Sequence, residues 1–270
     1  MANSSDNISK FFHNKTSGWL RLDTVARIYA AIMGSRSPTA FRICAVTKNT
    51  IDPETLQTAL DDVLKRFPYF RMKLKFGLFW NFLQNTGKRP LIEEETHIPC
   101  REFTPEEPLF RVIYRGNRIS LEFSHVLTDG IGGLTFTRSL IAHYFRLKGC
   151  DFEYSDDLYD LEKTPLQEET EDAFERYFPG NIPSPEKLDT AFHIKGKLLP
   201  RGDLNVITGT CNSGILLDVC RKFCVTVNDF LAAHYLWALY RLRGKCNRDI
   251  RLLVPVNLRS KYPSKTIRNF

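Results

Sequence analysis

Hydrophobic residues recur at helical spacing in two segments near the start of the chain. Between residues 20 and 33, apolar side chains recur every three or four positions until a glycine and a proline close the segment. The same spacing returns in residues 56–67, after Asp52 and Pro53 supply a cap and a first-turn proline. Each pattern predicts an amphipathic helix, and the β-branched and apolar residues 39–47 between them predict a strand.

Alternation of apolar and polar residues predicts two hairpins. Residues 70–76 alternate apolar with basic side chains, and Gly77 provides a turn into a partner strand at 78–83. Residues 109–114 and 118–123 flank a short turn containing glycine and asparagine, which tolerate the positive φ of tight hairpins. The first half of the chain is therefore expected to contain two antiparallel strand pairs.

A largely buried helix is predicted directly after the second hairpin. Residues 131–147 carry apolar side chains on more than one face, and a glycine follows them. Farther along, two strands and two helices are predicted, at 204–211, 250–256, 214–223 and 228–243. The strand at 250–256 is too apolar for an exposed edge and is expected to be buried, and Asn228 is expected to cap the last helix. Together these elements predict a mixed α/β fold of α+β layers in two halves.

The composition places the chain among globular proteins. Of its 270 residues, 43% are hydrophobic, 12% aromatic and 26% charged, which excludes disordered, collagen-like and disulfide-scaffold proteins. No apolar run approaches about 18 residues, and residues 1–10 are polar. We therefore expect no membrane span, no secretion and a cytoplasmic location. The seven cysteines are scattered without a CxxC pair, which predicts reduced thiols and no metal site.

Charge is unevenly distributed along the chain. Residues 151–175 contain eleven carboxylates and one lysine, whereas the whole chain has a net charge of +7. This acidic segment is typical of a solvated connector, and it predicts an N-terminal half at 1–150, a connector at 151–200 and the start of a C-terminal half at 201–270. The chain has no run of five basic residues and no standard nucleic-acid motif, so we expect no nucleic-acid partner.

The strongest chemical signal is the sequence Ser124-His-Val-Leu-Thr-Asp-Gly130, between a predicted strand and a predicted helix. An imidazole at a strand end can project into a cleft, and its pKa near neutrality suits it to take a proton from a hydroxyl or amine. Asp129 is placed to hold the loop, and Gly130 permits close backbone approach or an unusual backbone angle. The alternative is a surface histidine, His125, in a turn where Asp129 only caps the next helix.

This segment resembles the HHxxxDG signature of the chloramphenicol acetyltransferase-like superfamily of CoA-dependent acyltransferases. Residues 60–71, 226–239 and 254–259 are similar to an early helix-to-strand segment, the helix that opens the second half, and the strand that follows it. The likeness is greatest to bacterial alcohol acetyltransferase-like proteins, and it extends to the related condensation domains of peptide synthetases. It implies the sandwich fold of that superfamily.

The resemblance also implies roles for individual residues. His125 matches the second histidine of the motif and would be the general base. Asp129 would pair with an arginine, expected at Arg259, in a structural role, and Gly130 would keep the cleft open for the cofactor arm. Ser124 stands where the motif has its first histidine, which weakens the condensation-domain interpretation more than it weakens acyl transfer. The implied co-substrate is acyl-CoA and the implied acceptor a small alcohol, with no bound cofactor and no metal.

Members of the superfamily continue beyond the strand and crossover seen here at residues 252–270. The first half is therefore expected to be complete and the second truncated: the chain is either a fragment or a short relative that completes its site by self-association. Two alternatives to an alcohol acyltransferase remain open, a condensation-type domain that joins carrier-bound acyl and amine groups, and a binding module without turnover.

Several other residues have predicted environments. Phe79, Trp80 and Trp237 are expected in the core, and His143 and His234 are expected to be satisfied core histidines. Four basic residues near the crossover are expected either to meet CoA phosphates or to form an exposed basic segment: Arg259, Lys261, Lys265 and Arg268.

Overall fold

A computed structural model of the chain describes residues 18–34, 39–95, 99–152, 158–180, 184, 187–200 and 203–270. The chain divides into two compact units, the first formed by Met1–Phe178 with Asn257–Phe270 and the second by Pro179–Val256. These bounds differ from the division predicted at 150 and 200, because residues 158–178 of the predicted connector and residues 257–270 both pack into the first unit, where Glu169 forms a buried ion pair with Arg66.

The first unit contains two sheets and four α-helices among its described residues. In chain order they are β1 (Trp19–Arg21), α1 (Thr24–Ile32), β2 (Ala40–Val46), α2 (Pro53–Arg66), β3 (Met72–Phe76), β4 (Asn81–Asn85), β5 (Glu93–Glu94), β6 (Phe110–Arg115), β7 (Arg118–Ser124), α3 (Gly130–Leu147) and α4 (Ala173–Tyr177). The order is β1-β4-β3 in one sheet and β2-β7-β6-β5 in the other. All pairs are antiparallel except β5 with β6. The mixed α/β fold and both predicted hairpins are confirmed.

Aspartate caps begin all four of these helices, and they explain why each helix starts where it does. Asp23 accepts a hydrogen bond from the Ala26 amide at 2.7 Å at the start of α1. Asp52 caps α2 ahead of Pro53, as predicted. Asp129 caps α3, and Asp172 caps α4. Each side chain satisfies an amide that has no partner within its helix.

The core of the first unit is rich in phenylalanine. Phe136 of α3 stacks on Phe70 with ring centroids 4.2 Å apart and packs edge-on against Phe110 of β6 and Phe123 of β7. All four side chains are fully buried or nearly so. Burial of each ring contributes about 1.5–3 kcal/mol to the free energy of unfolding. This cluster fixes the end of β7 against the start of α3.

The β2-β7-β6-β5 sheet carries a buried charge network on the face opposite to these phenylalanines. Glu122 on β7 lies directly across from Arg42 on β2 and Arg111 on β6. Its carboxylate, which is inaccessible to solvent, accepts hydrogen bonds from Arg42 Nη2 at 2.6 Å and Arg111 Nη1 at 3.0 Å. Arg42 also pairs with Glu95 and Arg111 with Glu107, so the two cations are fully compensated by carboxylates at this largely buried site.

The second unit contains two helices in its described part, α5 (Ser213–Lys222) and α6 (Val227–Arg243). The strands predicted at 204–211 and 250–256 are wrong: neither segment pairs with another strand in the described residues. Ile207 and Leu253 are 97% and 92% exposed. An apolar run becomes a strand only where a neighbouring strand accepts its backbone hydrogen bonds, and these segments have no such neighbour in the ranges that the structure describes.

Helix α6 differs from its prediction at its start and in its environment. Its cap is Thr226 rather than Asn228, because Thr226 and Asp229 form a reciprocal capping box. None of its residues is buried, and the predicted core position of Trp237 is wrong, since that side chain is 59% exposed.

No helix in the described ranges is long and apolar enough to cross a bilayer. All seven cysteines are free thiols.

Candidate active site around His125

The loop between β7 and α3 is held in place by bonds from three directions. The His125 amide donates to the Thr39 carbonyl at 2.8 Å, and the Tyr69 hydroxyl donates to the Leu127 carbonyl at 2.6 Å. Ser124 is fully buried, and its hydroxyl accepts the amide hydrogen bond of the second residue after it at 3.2 Å. Ser124 therefore shapes the turn from inside. Thr39 has φ of 50°, a left-handed conformation that β-branched residues rarely adopt.

The His125 imidazole is half-buried against two aromatic rings. It stacks on Tyr29 of α1, with centroids 4.5 Å apart and planes 12° from parallel, and its centroid lies 4.5 Å from that of Phe41 on β2. Nδ1 is sealed from solvent, and no described group forms a hydrogen bond to it with normal geometry. Nε2 is therefore the nitrogen through which the ring can reach a ligand.

Burial lowers the pKa of His125 below its ordinary value of 6.5. The negative charge of Asp129 and the backbone of Thr128 both favour the protonated ring, but they offset the cost of burial only in part. The ring is therefore neutral at neutral pH, which is the state a general base requires.

Asp129 uses its carboxylate to organise the loop. Oδ1 accepts from the Gly132 amide at 2.8 Å, and Oδ2 accepts from Arg259 Nη1 at 2.7 Å and from the Phe270 amide at 3.0 Å. Because both oxygens accept these hydrogen bonds, the influence of Asp129 on His125 is electrostatic: its negative charge favours the protonated ring. Asp129 therefore has a structural role in holding the loop.

Arg259 connects the loop to the last residues of the chain. Besides Asp129, its guanidinium donates to the Thr266 carbonyl at 3.0–3.1 Å and to the Arg268 carbonyl at 2.8 Å. The Thr128 hydroxyl donates to the Ile267 carbonyl at 2.6 Å from the other side. Residues 266–269 are consequently buried beneath the His125 loop.

The glycine that the packing requires is Gly132, which sequence reasoning missed. A Cβ at Gly132 would lie 2.1 Å from the Ile267 carbonyl oxygen and 2.3 Å from Thr128 Oγ1. A Cβ at Gly130 would meet nothing within 4 Å. Packing therefore does not explain Gly130, and its role beside a cofactor arm stays a prediction. Three of the four residues 130–133 are glycines, and this clustering was the sequence feature from which close packing at the start of α3 could have been inferred.

Two basic residues of the crossover, Lys261 and Lys265, are exposed as one of the two alternatives predicts, whereas Arg268 fits neither alternative. Arg268 is buried, with Nε 3.2 Å from Asp23 Oδ2 and Nη2 2.7 Å from the Arg21 carbonyl oxygen. Burial against Asp23 makes Arg268 a structural residue, out of reach of a phosphate. Lys265 is exposed and paired with Glu168 at 3.0 Å, and Lys261 is exposed.

The other two histidines singled out from the sequence lie in different environments. His143 of α3 is partly buried, with Nε2 3.0 Å from Asp62 Oδ2 on α2. His234 is exposed, which contradicts its predicted core position. No group of His, Cys, Asp and Glu residues in the described ranges could hold a metal ion.

No family model matches the chain, and no curated protein matches it. Solved structures with a similar arrangement include the starter condensation domain of rhizomide synthetase RzmA, with 14% identity and a TM-score of 0.43 over 52% of this chain and 41% of that one. The epimerization domain from the third module of tyrocidine synthetase B gives 14% identity and a TM-score of 0.42 over 50% and 36%.

A mutant of the RzmA domain solved in complex with C8-CoA matches with 11% identity and a TM-score of 0.41, over 47% of this chain and 35% of that one. The chain thus spans less than half the length of each of these structures.

Proposed function

We propose that the chain carries the general-base site of an acyltransferase that moves an acyl group from acyl-CoA to an alcohol. The observation that carries the proposal is the state of His125: a neutral, half-buried imidazole at a strand end, with Nδ1 sealed and Nε2 left to meet a ligand. The resemblance of residues 124–130 to the acyltransferase signature supplies the reaction class.

The proposed step needs one base and a thioester. His125 Nε2 takes the proton of the acceptor hydroxyl as its oxygen attacks the thioester carbonyl carbon, forming a tetrahedral oxyanion. Collapse of that intermediate breaks the C–S bond, and the leaving thiolate takes the proton from the imidazolium. The products are an ester and free CoA, and His125 returns to its neutral form.

The surroundings of His125 suit this role. Contact with Tyr29 and Phe41 fixes the plane of the ring, so the base is already oriented before an acceptor arrives. Asp129 and Arg259 hold the loop through groups that are already paired with each other, which leaves the ring free to exchange its proton.

An amine acceptor, as in a condensation-type domain, would use the same base. The alcohol is favoured by the likeness to alcohol acetyltransferase-like proteins and by Ser124, whose buried hydroxyl accepts a backbone hydrogen bond at the position where the motif has its first histidine. The product, ester or amide, distinguishes these acceptors.

The test measures release of free thiol from acetyl-CoA with a panel of simple alcohols and amines, with products identified by mass. We expect His125→Ala to lose about 10²- to 10⁴-fold in rate, the usual contribution of a general base. His143→Gln, which changes a histidine on α3 that is paired with Asp62, is the matched control and should keep the rate.

Turnover that survives in His125→Ala would contradict the proposed base. Amide in place of ester would replace the alcohol with an amine. If the chain gives no turnover, the same assay on an extended reading frame separates an incomplete chain from a wrong reaction.

A further inference from the structure

The turn of the β3–β4 hairpin presents three large apolar side chains to solvent. Leu78, Phe79 and Trp80 are 98%, 88% and 68% exposed, which contradicts the core positions predicted for Phe79 and Trp80. We call these three residues the apolar tip. Turns are normally built from Gly, Pro, Asn, Asp and Ser, so an apolar turn of this kind marks an interaction surface.

The hairpin holds the apolar tip in a defined geometry. The Gly77 amide donates to the Trp80 carbonyl at 3.1 Å and closes the turn. A Cβ at position 77 would lie 2.5 Å from that carbonyl oxygen, so the turn requires glycine. Five antiparallel residue pairs, from Met72 with Asn85 to Phe76 with Asn81, hold the strands beneath it. The apolar residues are therefore displayed by a regular, paired hairpin.

A cavity of about 630 Å³ lies beside the apolar tip. The cavity is lined by two tryptophans, two arginines, a leucine and an asparagine: Trp19, Trp80, Arg21, Arg27, Leu22 and Asn81. Arg21 and Arg27 are exposed, and neither guanidinium has a hydrogen bond or an ion pair with any described residue. Most other arginines of the first unit, such as Arg42, Arg66 and Arg111, are paired with carboxylates. Among the described residues, the two arginines of the cavity therefore have no carboxylate partner, and they present positive charge next to aromatic surface.

We infer that the apolar tip and this cavity form a docking surface for an anionic lipid bilayer. Leu78 and Phe79 would enter the boundary between headgroups and acyl chains, with Trp80 at headgroup level, where indole is favoured. Arg21 and Arg27 would then face the lipid phosphates from the cavity wall. This inference is independent of the proposed acyl transfer.

Charge and size favour a bilayer over a second protein. A stable protein interface buries about 800 Å² on each partner, which three side chains on a narrow convex turn cannot supply. A bilayer can accommodate a small apolar insertion because its lipids rearrange around the inserted side chains. Its phosphates complement Arg21 and Arg27, which have no carboxylate partner in the part of the chain that the structure describes. The net charge of +7 adds long-range attraction to such a surface.

The test is co-sedimentation of the full chain with phosphatidylcholine vesicles, with and without phosphatidylserine. We expect binding that increases with phosphatidylserine. Leu78→Glu with Phe79→Glu should abolish it, and Arg21→Gln with Arg27→Gln should weaken binding to the anionic vesicles by about fivefold for each arginine. The matched control is Ile207→Glu with Leu253→Glu, which adds the same two negative charges at apolar positions of the second unit that are 97% and 92% exposed, and it should bind like the parent chain.

A second measurement reports on the apolar tip directly. In a chain with Trp19→Phe and Trp237→Phe, Trp80 is the remaining tryptophan, and its emission should shift to shorter wavelength when anionic vesicles are added. Circular dichroism and gel filtration confirm that each variant is folded.

Equal binding by the apolar-tip variant and the parent would overturn the inference, as would an equal loss of binding in the control variant, Ile207→Glu with Leu253→Glu. The inference would also be overturned if the parent chain did not bind vesicles but formed a dimer that the apolar-tip variant could not form. In that case the apolar tip would dock against a second copy of the chain.

Discussion

The two units of this chain differ in what happens to an apolar helix face. In the first unit, helix α2 buries Leu56, Leu60 and Val63 completely, and the apolar face that the sequence predicts is the face that packs. In the second unit, helix α5 has an apolar face of comparable periodicity but buries only Cys220, and helix α6, which is richer in apolar residues, buries none of them. Periodicity therefore predicts that a helix forms, whereas burial depends on whether another element supplies a complementary surface.

The largest expected effect compares an aromatic side chain from each unit. Phe136→Ala removes the ring that joins α3 to the phenylalanine core and should lower the free energy of unfolding by about 3–5 kcal/mol. Trp237→Ala removes a larger but exposed ring from α6 and should change it by no more than about 0.5 kcal/mol. Denaturant unfolding measures both. Equal losses would mean that the second unit is as well packed as the first.

A smaller effect is expected at the two glycines that begin α3. Gly132→Ala places a methyl group against the Ile267 carbonyl and should destabilise the first unit by about 1–3 kcal/mol. Gly130→Ala adds the same methyl group to open space and should be neutral, or stabilise the helix by up to about 1 kcal/mol. Thermal unfolding of the two variants distinguishes them. Similar melting temperatures would show that residues 266–269 do not pack against α3 in solution.

The smallest expected effect is the protonation of His125. Because its pKa is lowered in the folded chain, the unfolded chain binds a proton first as the pH falls, and stability is lost below about pH 6.5. His125→Gln removes this contribution, so the free energies of unfolding of parent and variant should diverge only below that pH. If acyl transfer is the reaction, its acid limb should also have a midpoint below 6.5. A midpoint above 6.5 would contradict the burial of the ring.

Local patterns were sufficient to predict much of the first unit. The helix over 53–66, both hairpins, the Asp52 cap and the position of His125 between β7 and α3 all follow from residues close together in the sequence. The strands predicted at 204–211 and 250–256 failed because strand formation depends on a distant partner, which an apolar run does not reveal.

The features that sequence reasoning missed are long-range pairings. Glu122 and Arg42 are 80 residues apart, and alternation along β7 gives no sign that one face buries charge. Arg268 had been expected to meet phosphates or solvent, but its partner Asp23 is 245 residues away. Such pairs depend on which strands and loops become neighbours, and a single sequence does not contain that information in local form.

The burial of residues 266–269 beneath the His125 loop has a consequence for the order of folding. The second unit is an insertion between two parts of the first, so Asp129 and Arg259 must close a loop of 130 residues before they meet. Contacts of such separation form slowly, because the chain loses loop entropy before it gains the contact. During synthesis, α1, α2 and the two sheets can assemble while Asp23 and Asp129 still lack their arginines. The loop that holds the candidate base is therefore among the last parts of the first unit to become fixed.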